Sequence, residues 1–449
     1  MAPERLPHAP AAVAPPGDRY WRVLLGVAPR LLSLLDREVR SPTRGSFDRV
    51  NWAWKFRDFP LTMWQASMMP LATLYRHQHP DNPYAHNPRF AEWIVAALDH
   101  TLDRQHRNGA FDSFTPYSQD HGVTLAMVLT LATTTELLGD ALAPAQRSRV
   151  VESVARACRF AAASDEDYAF INNHQAAFAL AYVRAARLTG DERLLLRADD
   201  VVARICAHQS TDGWFEEYGG PDPGYETFGL TYLAVTHAER PSQRLAEALS
   251  RSVGFLSHCV HPDGSIGGNY GSRNTGQYAP GGLELLAPTL PVAGAIADFV
   301  GRRLDHGNVV TPLRCDDDNL PLLTFSYAVA ATRSLPRLVE GPALPCESTD
   351  VWRQFDDSRV VVAATQRYFA VANLSKGGAI RLFDREGGRL VYEDAGYFLS
   401  SRDGDWSTQL LGESMPTPVS SARTGGVTTR FTAVKRELLT PAKFLVLRI

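Results

Sequence analysis

The sequence predicts a mostly α-helical chain whose hairpins close into an (α/α) toroid, followed by a C-terminal antiparallel β-sandwich-like domain. Three observations lead there. First, glycine turns recur in register: Gln105-His106-Arg107-Asn108-Gly109-Ala110-Phe111, Gln209-Ser210-Thr211-Asp212-Gly213-Trp214-Phe215 and His261-Pro262-Asp263-Gly264-Ser265-Ile266. Each follows an amphipathic helical stretch, at 90–102, 194–207 and 243–260. Second, the glycines fit a period of about 52 residues when one slot near residue 161 is filled by the helix-ending loop Ala161-Ala162-Ala163-Ser164-Asp165-Glu166-Asp167. Third, the pattern turns from helical to β-rich after Pro336.

Taken in order, residues 1–17 are rich in Pro and Ala, lack an apolar h-region and read as a disordered tail rather than a secretory signal. Over 18–335 helices are expected at 20–39, 60–78, 88–106, 121–139, 143–163, 173–189, 192–208, 225–239, 241–260, 281–302 and 317–333. These make five or six hairpins. Thr189-Gly190-Asp191 is a hairpin joint, with Gly190 closing one helix and Asp191 capping the next. Residues 336–346 form a linker, and 347–449 carry short β-rich runs such as Arg359–Thr365, Tyr368–Asn373 and Ala379–Phe383. The final run, Ala442 onward, reads as a strand with no tail after it, which implies a β-domain cut short.

Composition narrows the function classes. The chain has 449 residues, 45% hydrophobic and 21% charged, with a formal net charge of −3, so no bulk field points to nucleic acid or membrane. No run approaches a membrane span, and the expected compartment is the cytoplasm. Cys158, Cys206, Cys259, Cys315 and Cys346 lack metal-ligand spacing. Motifs for a zinc peptidase, a phosphate-cradling lysine loop or a serine hydrolase are absent. No cofactor is called for, although a structural divalent cation in the β-domain is compatible with the sequence.

Five constellations could carry chemistry. In Ile171-Asn172-Asn173-His174-Gln175, capping accounts for one asparagine; His174 sits beside it on a first helical turn, which attracts anions. The loop from Asp212 to Tyr232 is rich in Gly, Pro and acids; Tyr225 opens a helix at the toroid mouth, Tyr232 reads as core, and Tyr218 falls in the stripe by accident. Trp214 and Glu216 lie on the same loop. Next, Gly267–Tyr278 presents Arg273, Asn274 and Tyr278 among glycines, and Arg273 offers a planar fork for a carboxylate or sulfate, or pairs with a nearby acid. The stretch 51–65 mixes aromatics with cations; Trp54 would stack on sugar rings, unless it packs in the core with Trp52 and Trp64. His121, finally, begins another helix at the mouth.

The order and spacing of these segments resemble the heparinase II/III-like family of alginate and heparin lyases, from the 51–65 aromatics through Asn173-His174 and the Asp212–Tyr232 loop into the β-rich tail. The resemblance implies β-elimination on an acidic, uronate-containing glycan. It carries Asn173 and His174 to the uronate carboxylate and Tyr225 to proton transfer. Arg273 would help neutralise charge, and either Arg273 or His174 would lower the tyrosine pKa. Asn172, His121, Trp54, Trp214, Glu216, Asn274 and Tyr278 are the expected substrate contacts. One departure stands out: relatives draw a further histidine from the β-domain, whereas the last here is His306. A glycoside hydrolase on the same toroid would need two flanking carboxylates, for which Glu216, Glu217, Asp222 and Glu226 are candidates. A glycan-binding protein with degraded chemistry is the non-enzymatic alternative. A terpenoid-cyclase-like toroid is suggested by Gln209-to-Trp214 alone, and Cys315-Asp316-Asp317-Asp318 lies in the wrong place for its acidic motif.

Overall fold

A computed structural model describes residues 17–166, 169–409, 414–417, 426–434 and 440–448. The expected N-terminal tail, apart from Gly17, lies outside the described residues.

The helices run α1 (Asp18–Leu34), α2 (Arg49–Trp52), α3 (Met68–Arg76, preceded by a 3-10 turn at Thr62–Ser67), α4 (Pro88–Asp103), α5 (His121–Leu138), α6 (Pro144–Ala162), α7 (Asn172–Thr189), α8 (Arg193–Ala207), α9 (Pro223–Glu239), α10 (Gln243–Leu256), α11 (Gly281–Leu286), α12 (Pro291–Gly301) and α13 (Leu320–Arg333). Helices α3, α5, α7, α9, α11 and α13 pack side by side, and α13 returns to α3, closing an inner ring. The remaining long helices lie outside it, with α1 against α13. The division follows from sequence. α5, α9 and α13 are apolar on nearly every face and bury nearly every face; α8 and α10 bury one stripe. α5 and the turn after it (His121–Ala141) are long and apolar enough to cross a bilayer by composition, but 78% of that span is buried inside the ring.

The first turns of α3, α5, α7 and α13 converge on one cavity, which Met69, Gly122, His174 and Leu322 line together. The glycine turns are the fastenings. In each, the residue three before the glycine bonds both the glycine N–H and the carbonyl after it: His106 with Gly109 and Ala110, Ser210 with Gly213 and Trp214, His261 with Gly264 and Ser265. A wider copy, Asp36 with Gly45 and Ser46, adds a repeat the sequence had not disclosed. A Cβ on Gly109 or Gly213 would stand 2.3 or 2.6 Å from the Arg156 or Arg251 carbonyl of the next outer helix, so the turn is seated on its neighbour.

Residues 281–302 form two helices, not one, because Pro291 starts a new helix at its N1 position and cannot continue the old. Beyond the ring, β1 (Val351–Gln354), β2 (Val360–Ala364), β3 (Tyr368–Asn373), β4 (Ala379–Asp384) and β5 (Arg389–Asp394) form an antiparallel meander in that order. β6 (Phe398–Ser401) and β7 (Gly404–Ser407) pair with β10 (Thr432–Val434), and β8 (Ser414–Thr417) pairs with β9 (Gly426–Thr429). The expected final strand is instead α14 (Pro441–Arg448). Pro441 stands at N1, and the Thr440 hydroxyl accepts the Lys443 N–H as a cap, a helix start that the run of Leu and Val concealed.

The sheet docks beside the mouth. Asp212 accepts the backbone N–H groups of Asp356, Asp357 and Ser358, and Asp357 accepts from Ser210 and Thr211 in return. Phe355 meets Phe255 at 4.9 Å, and His261 stacks on Phe383 at 4.7 Å.

Candidate active site

A cavity of about 200 Å³ descends from the mouth into the ring, walled by Met63, Met69, Val123, Phe178, Tyr232 and Leu322, with Asp120, Glu166, Asn173 and His174 at its polar side. His174 is in the first turn of α7. Its Nδ1 lies 2.9 Å from Glu166 Oε1; the carboxylate is 3% exposed and the imidazole 37%. A carboxylate accepts, so the tautomer this bond favours in a neutral imidazole carries its proton on Nδ1 and its lone pair on Nε2. Glu166 comes from a loop whose described residues do not form the glycine turn. Sequence reasoning read that loop only as a helix end and missed its acid.

Asn173 is turned inward. Its backbone N–H and side-chain N–H donate to the two oxygens of Glu217, at 2.7 and 2.9 Å. Glu217 is fully buried, which pushes its pKa well up against the opposing pull of the Asn173 bonds. Asn172 is buried as well, with its amide against Gly229 and its backbone N–H on the Glu216 carbonyl. Neither asparagine is an N-cap; Ile171 holds that position.

Beyond Glu217 the chain places a second group. Tyr218 has φ +55°, the left-handed region that a bulky residue seldom occupies, and the Arg273 guanidinium covers its ring at 4.3 Å. Tyr225 is half-buried in the first turn of α9, within the electrostatic reach of Tyr218, Asp222, Arg273 and Glu217. Burial raises its pKa more than Arg273 lowers it. The expected cation-depressed tyrosine is therefore corrected: near neutral pH the Tyr225 phenol keeps its proton. Tyr218, set aside as an accident of spacing, belongs to this group.

Asp222 holds the loops together. It accepts from Tyr225 N–H at 3.1 Å, Arg273 N–H at 2.8 Å and Thr275 N–H at 3.3 Å. Ser272 donates to the Glu217 carbonyl at 2.6 Å. Lys376, on the β3–β4 turn, donates to the carbonyls of Asn269 and Gly271 and to the Asn274 side chain. Burial brings its pKa down to about 8. Asn274 is thereby committed to the domain seam.

The other expected contacts scatter. Tyr278 is fully buried near Tyr20 and Glu284 on the inner face of the ring, so it cannot meet substrate. His121 bonds Ser164 at 2.9 Å and lines a separate cavity of about 330 Å³ with Arg197, Asp200 and Arg204; the Phe178 ring stands between it and His174. Trp214 is half-buried, its indole N–H on Asp212, in the turn that holds the sheet. Glu216 is partly exposed on that loop. Trp54 is exposed, as are Phe56 beside it and, on the loop before α5, Phe114 and Tyr117. Buried Asp48 positions the 48–61 segment by accepting N–H groups of Val50, Asn51 and Leu61.

Among the described residues no group of three His, Cys, Asp or Glu side chains is placed to hold a metal ion.

No family model matches the sequence, and no curated protein matches it. Solved structures do. A xanthan lyase from Paenibacillus superposes with TM-score 0.57 at 11% identity, over 88% of this chain and 45% of that one. The chondroitin AC lyase of Streptomyces coelicolor A3, in complex with chondroitin sulphate, superposes with TM-score 0.53 at 13% identity, over 84% and 55%. A cellobiose 2-epimerase from Bacillus thermoamylovorans reaches TM-score 0.50 at 8% identity, over 70% and 98%. The chain spans about half the length of the two lyases. At such identities the likeness concerns fold alone: this chain has the α/α toroid with a C-terminal antiparallel sheet that polysaccharide lyases share.

Proposed function

We propose that the protein is a polysaccharide lyase of the heparinase II/III-like kind, cleaving an acidic, uronate-containing glycan by β-elimination. The observation that carries this is the His174–Glu166 pair at the cavity, with Arg273 and two tyrosines on adjoining loops. Elimination needs a base for the C5 proton, a cation for the carboxylate that gathers charge, and an acid for the departing C4 oxygen. His174 Nε2 supplies the lone pair, oriented by Glu166. Arg273, with the converging N-termini of the inner helices, offers the positive field for the carboxylate. Tyr225, kept protonated by burial, donates to the leaving oxygen as the C5 electron pair becomes the C4–C5 double bond. This assignment moves the base from tyrosine to histidine. Asn173 becomes a positioning residue, because its backbone N–H and a side-chain N–H are both committed to Glu217. Exposed Trp54, Phe56, Phe114 and Tyr117 are suited to stacking on sugar faces.

Hydrolysis fits less well. It requires two carboxylates open to the bond. Glu217, Asp222 and Glu226 are sealed in the protein, and Glu216 is one partly exposed acid. Of the two carboxylates at the cavity, Asp120 caps α5 on the Val123 N–H while Glu166 is engaged by His174.

The deciding experiment incubates the protein with a panel of uronate-containing glycans and follows both ultraviolet absorbance of an unsaturated product and release of reducing ends. Elimination gives both, and His174→Ala and Tyr225→Phe each abolish them. Reducing ends without absorbance would mean hydrolysis, and binding without either would mean a glycan-binding protein.

A further inference from the structure

A second cavity, about 650 Å³, lies at the seam between the ring and the sheet, within the range of small-ligand sites. Its walls are the third glycine turn, the loop after α12, β4 and the β4–β5 hairpin. Four guanidinium groups line it, those of Arg303, Arg381, Arg385 and Arg389, together with His306; the lining carboxylates are Asp263 and Glu386. Most of these arginines are oriented without being neutralised. Arg385 donates to the backbone carbonyls of Ser348, Thr365 and Glu347. Arg303 donates to the Phe299 carbonyl and lies 3.7 Å over its ring. Arg389 is 77% exposed, with Asp384 no nearer than 4.0 Å. Arg381 alone has a closer carboxylate, Glu393 at 3.3 Å. In a chain whose net charge is −3, this local excess of cations needs an anionic partner.

The wall of the seam packs against the segment that leads into the tyrosine–arginine site. Arg381 Nη1 donates to the Gly267 carbonyl at 3.1 Å, and a Cβ on Gly267 would lie 3.1 Å from the nitrogen of Gly224, next to Tyr225. The wall of the seam and the first turn of α9 are thereby in direct backbone contact.

We propose that the seam is an anionic subsite that grips a distal stretch of the same acidic glycan chain, so that the protein acts on polymer rather than on short fragments. This rests on the function proposed above. Carboxylate and sulfate groups spaced along one chain would meet guanidinium forks spaced along one cleft.

The test is titration calorimetry of the full protein with a chondroitin sulfate decasaccharide and with the disaccharide, at low and moderate salt. Arg389→Glu alters an exposed hairpin position, and Arg389→Lys keeps the charge. Wild type should bind the decasaccharide at least about tenfold more tightly than the disaccharide, with the gain falling as salt rises. Arg389→Glu should erase most of that length advantage and leave the disaccharide unaffected, while Arg389→Lys restores much of it. Equal affinity for long and short ligands, or no effect of Arg389→Glu, would overturn the subsite while leaving the function proposed above intact. Failure of wild type to bind any acidic glycan would overturn both. A single-stranded oligonucleotide that displaces the decasaccharide at equal charge would overturn the glycan assignment in favour of a nucleic-acid surface.

Discussion

The loop before α7 and the loop before α9 occupy equivalent places in the ring and end in opposite chemistry. The α9 loop keeps the repeat's fastening: Gln209 bonds the carbonyls of Gly213 and Ala248, and the turn is seated on α10. Most acids of this loop and of the helix start after it are consumed by structure, with Asp212 on the sheet, Glu217 on Asn173, Asp222 on three backbone N–H groups and Glu226 on Ser252, while Glu216 stays partly exposed. The described residues of the α7 loop form no such turn. Freed from that template, the loop places one acid, Glu166, on the imidazole of His174. The lesson is that chemistry sits where the repeat departs from its own rule, since a residue spent on fastening is unavailable for substrate.

The sharpest way to break this comparison is to exchange the acids' amide variants. His174→Ala should lower turnover by about 10³-fold if the imidazole is the base. Glu166→Gln should cost roughly 10–100-fold in kcat with KM nearly unchanged, as expected of a residue acting through another, and Glu166→Asp should recover part of the loss. Glu226→Gln should leave kcat close to wild type. Steady-state rates on the best glycan decide it; a dead Glu226→Gln beside an active Glu166→Gln would reverse the roles of the two loops.

How much of this was legible in the sequence divides along the same line. Helices and glycine turns were readable because each is written locally, in a 3.6-residue apolar stripe or in a glycine ending a helix. Gly45 escaped because its loop is longer than the others and breaks the period. His174, Tyr225 and Arg273 were legible as types at helix starts and in glycine-rich loops. What could not be read were the partners. The Glu166–His174 pair and the seating of the Arg273 guanidinium on Tyr218 join residues whose proximity the fold decides, and Asn173 looked like a free amide until Glu217 was found beneath it. Tyr278 misled for a similar reason: its glycine-rich neighbourhood suggested the mouth, but the chain there is already descending toward α11.

Glycine substitutions test the fastening itself. Gly213 has φ +105°, and an added Cβ would lie 2.6 Å from the Arg251 carbonyl; Gly190 has φ +74°, with nothing within 4 Å of an added Cβ. Gly213→Ala should therefore destabilise by about 3 kcal/mol, combining strain with displacement of α10, and Gly190→Ala by about 1 kcal/mol, from strain alone. Urea unfolding of the two variants measures the gap. Equal losses would mean the turn is conformational punctuation rather than a seat on the neighbouring helix.

The last contrast concerns the sealed acid at the start of α9. Burial raises the Glu226 pKa from 4.5 to about 8, opposed by its bond from Ser252. Between those values the folded protein holds a proton that the unfolded chain has released. This contribution is therefore fully present below the unfolded pKa and is lost as pH rises through the folded one, at roughly 1.4 kcal/mol per pH unit. Glu226→Gln removes the titration while keeping the shape, so its urea midpoint should fall less than that of wild type from about pH 5 to about pH 8. Glu217 and Asp222, whose pKa values burial also raises, act in the same sense, so a residual slope should persist in the variant. Parallel slopes in the two proteins would mean that Glu226 is ionised in the fold, and the contrast with Glu166 as the working acid would lose its second half.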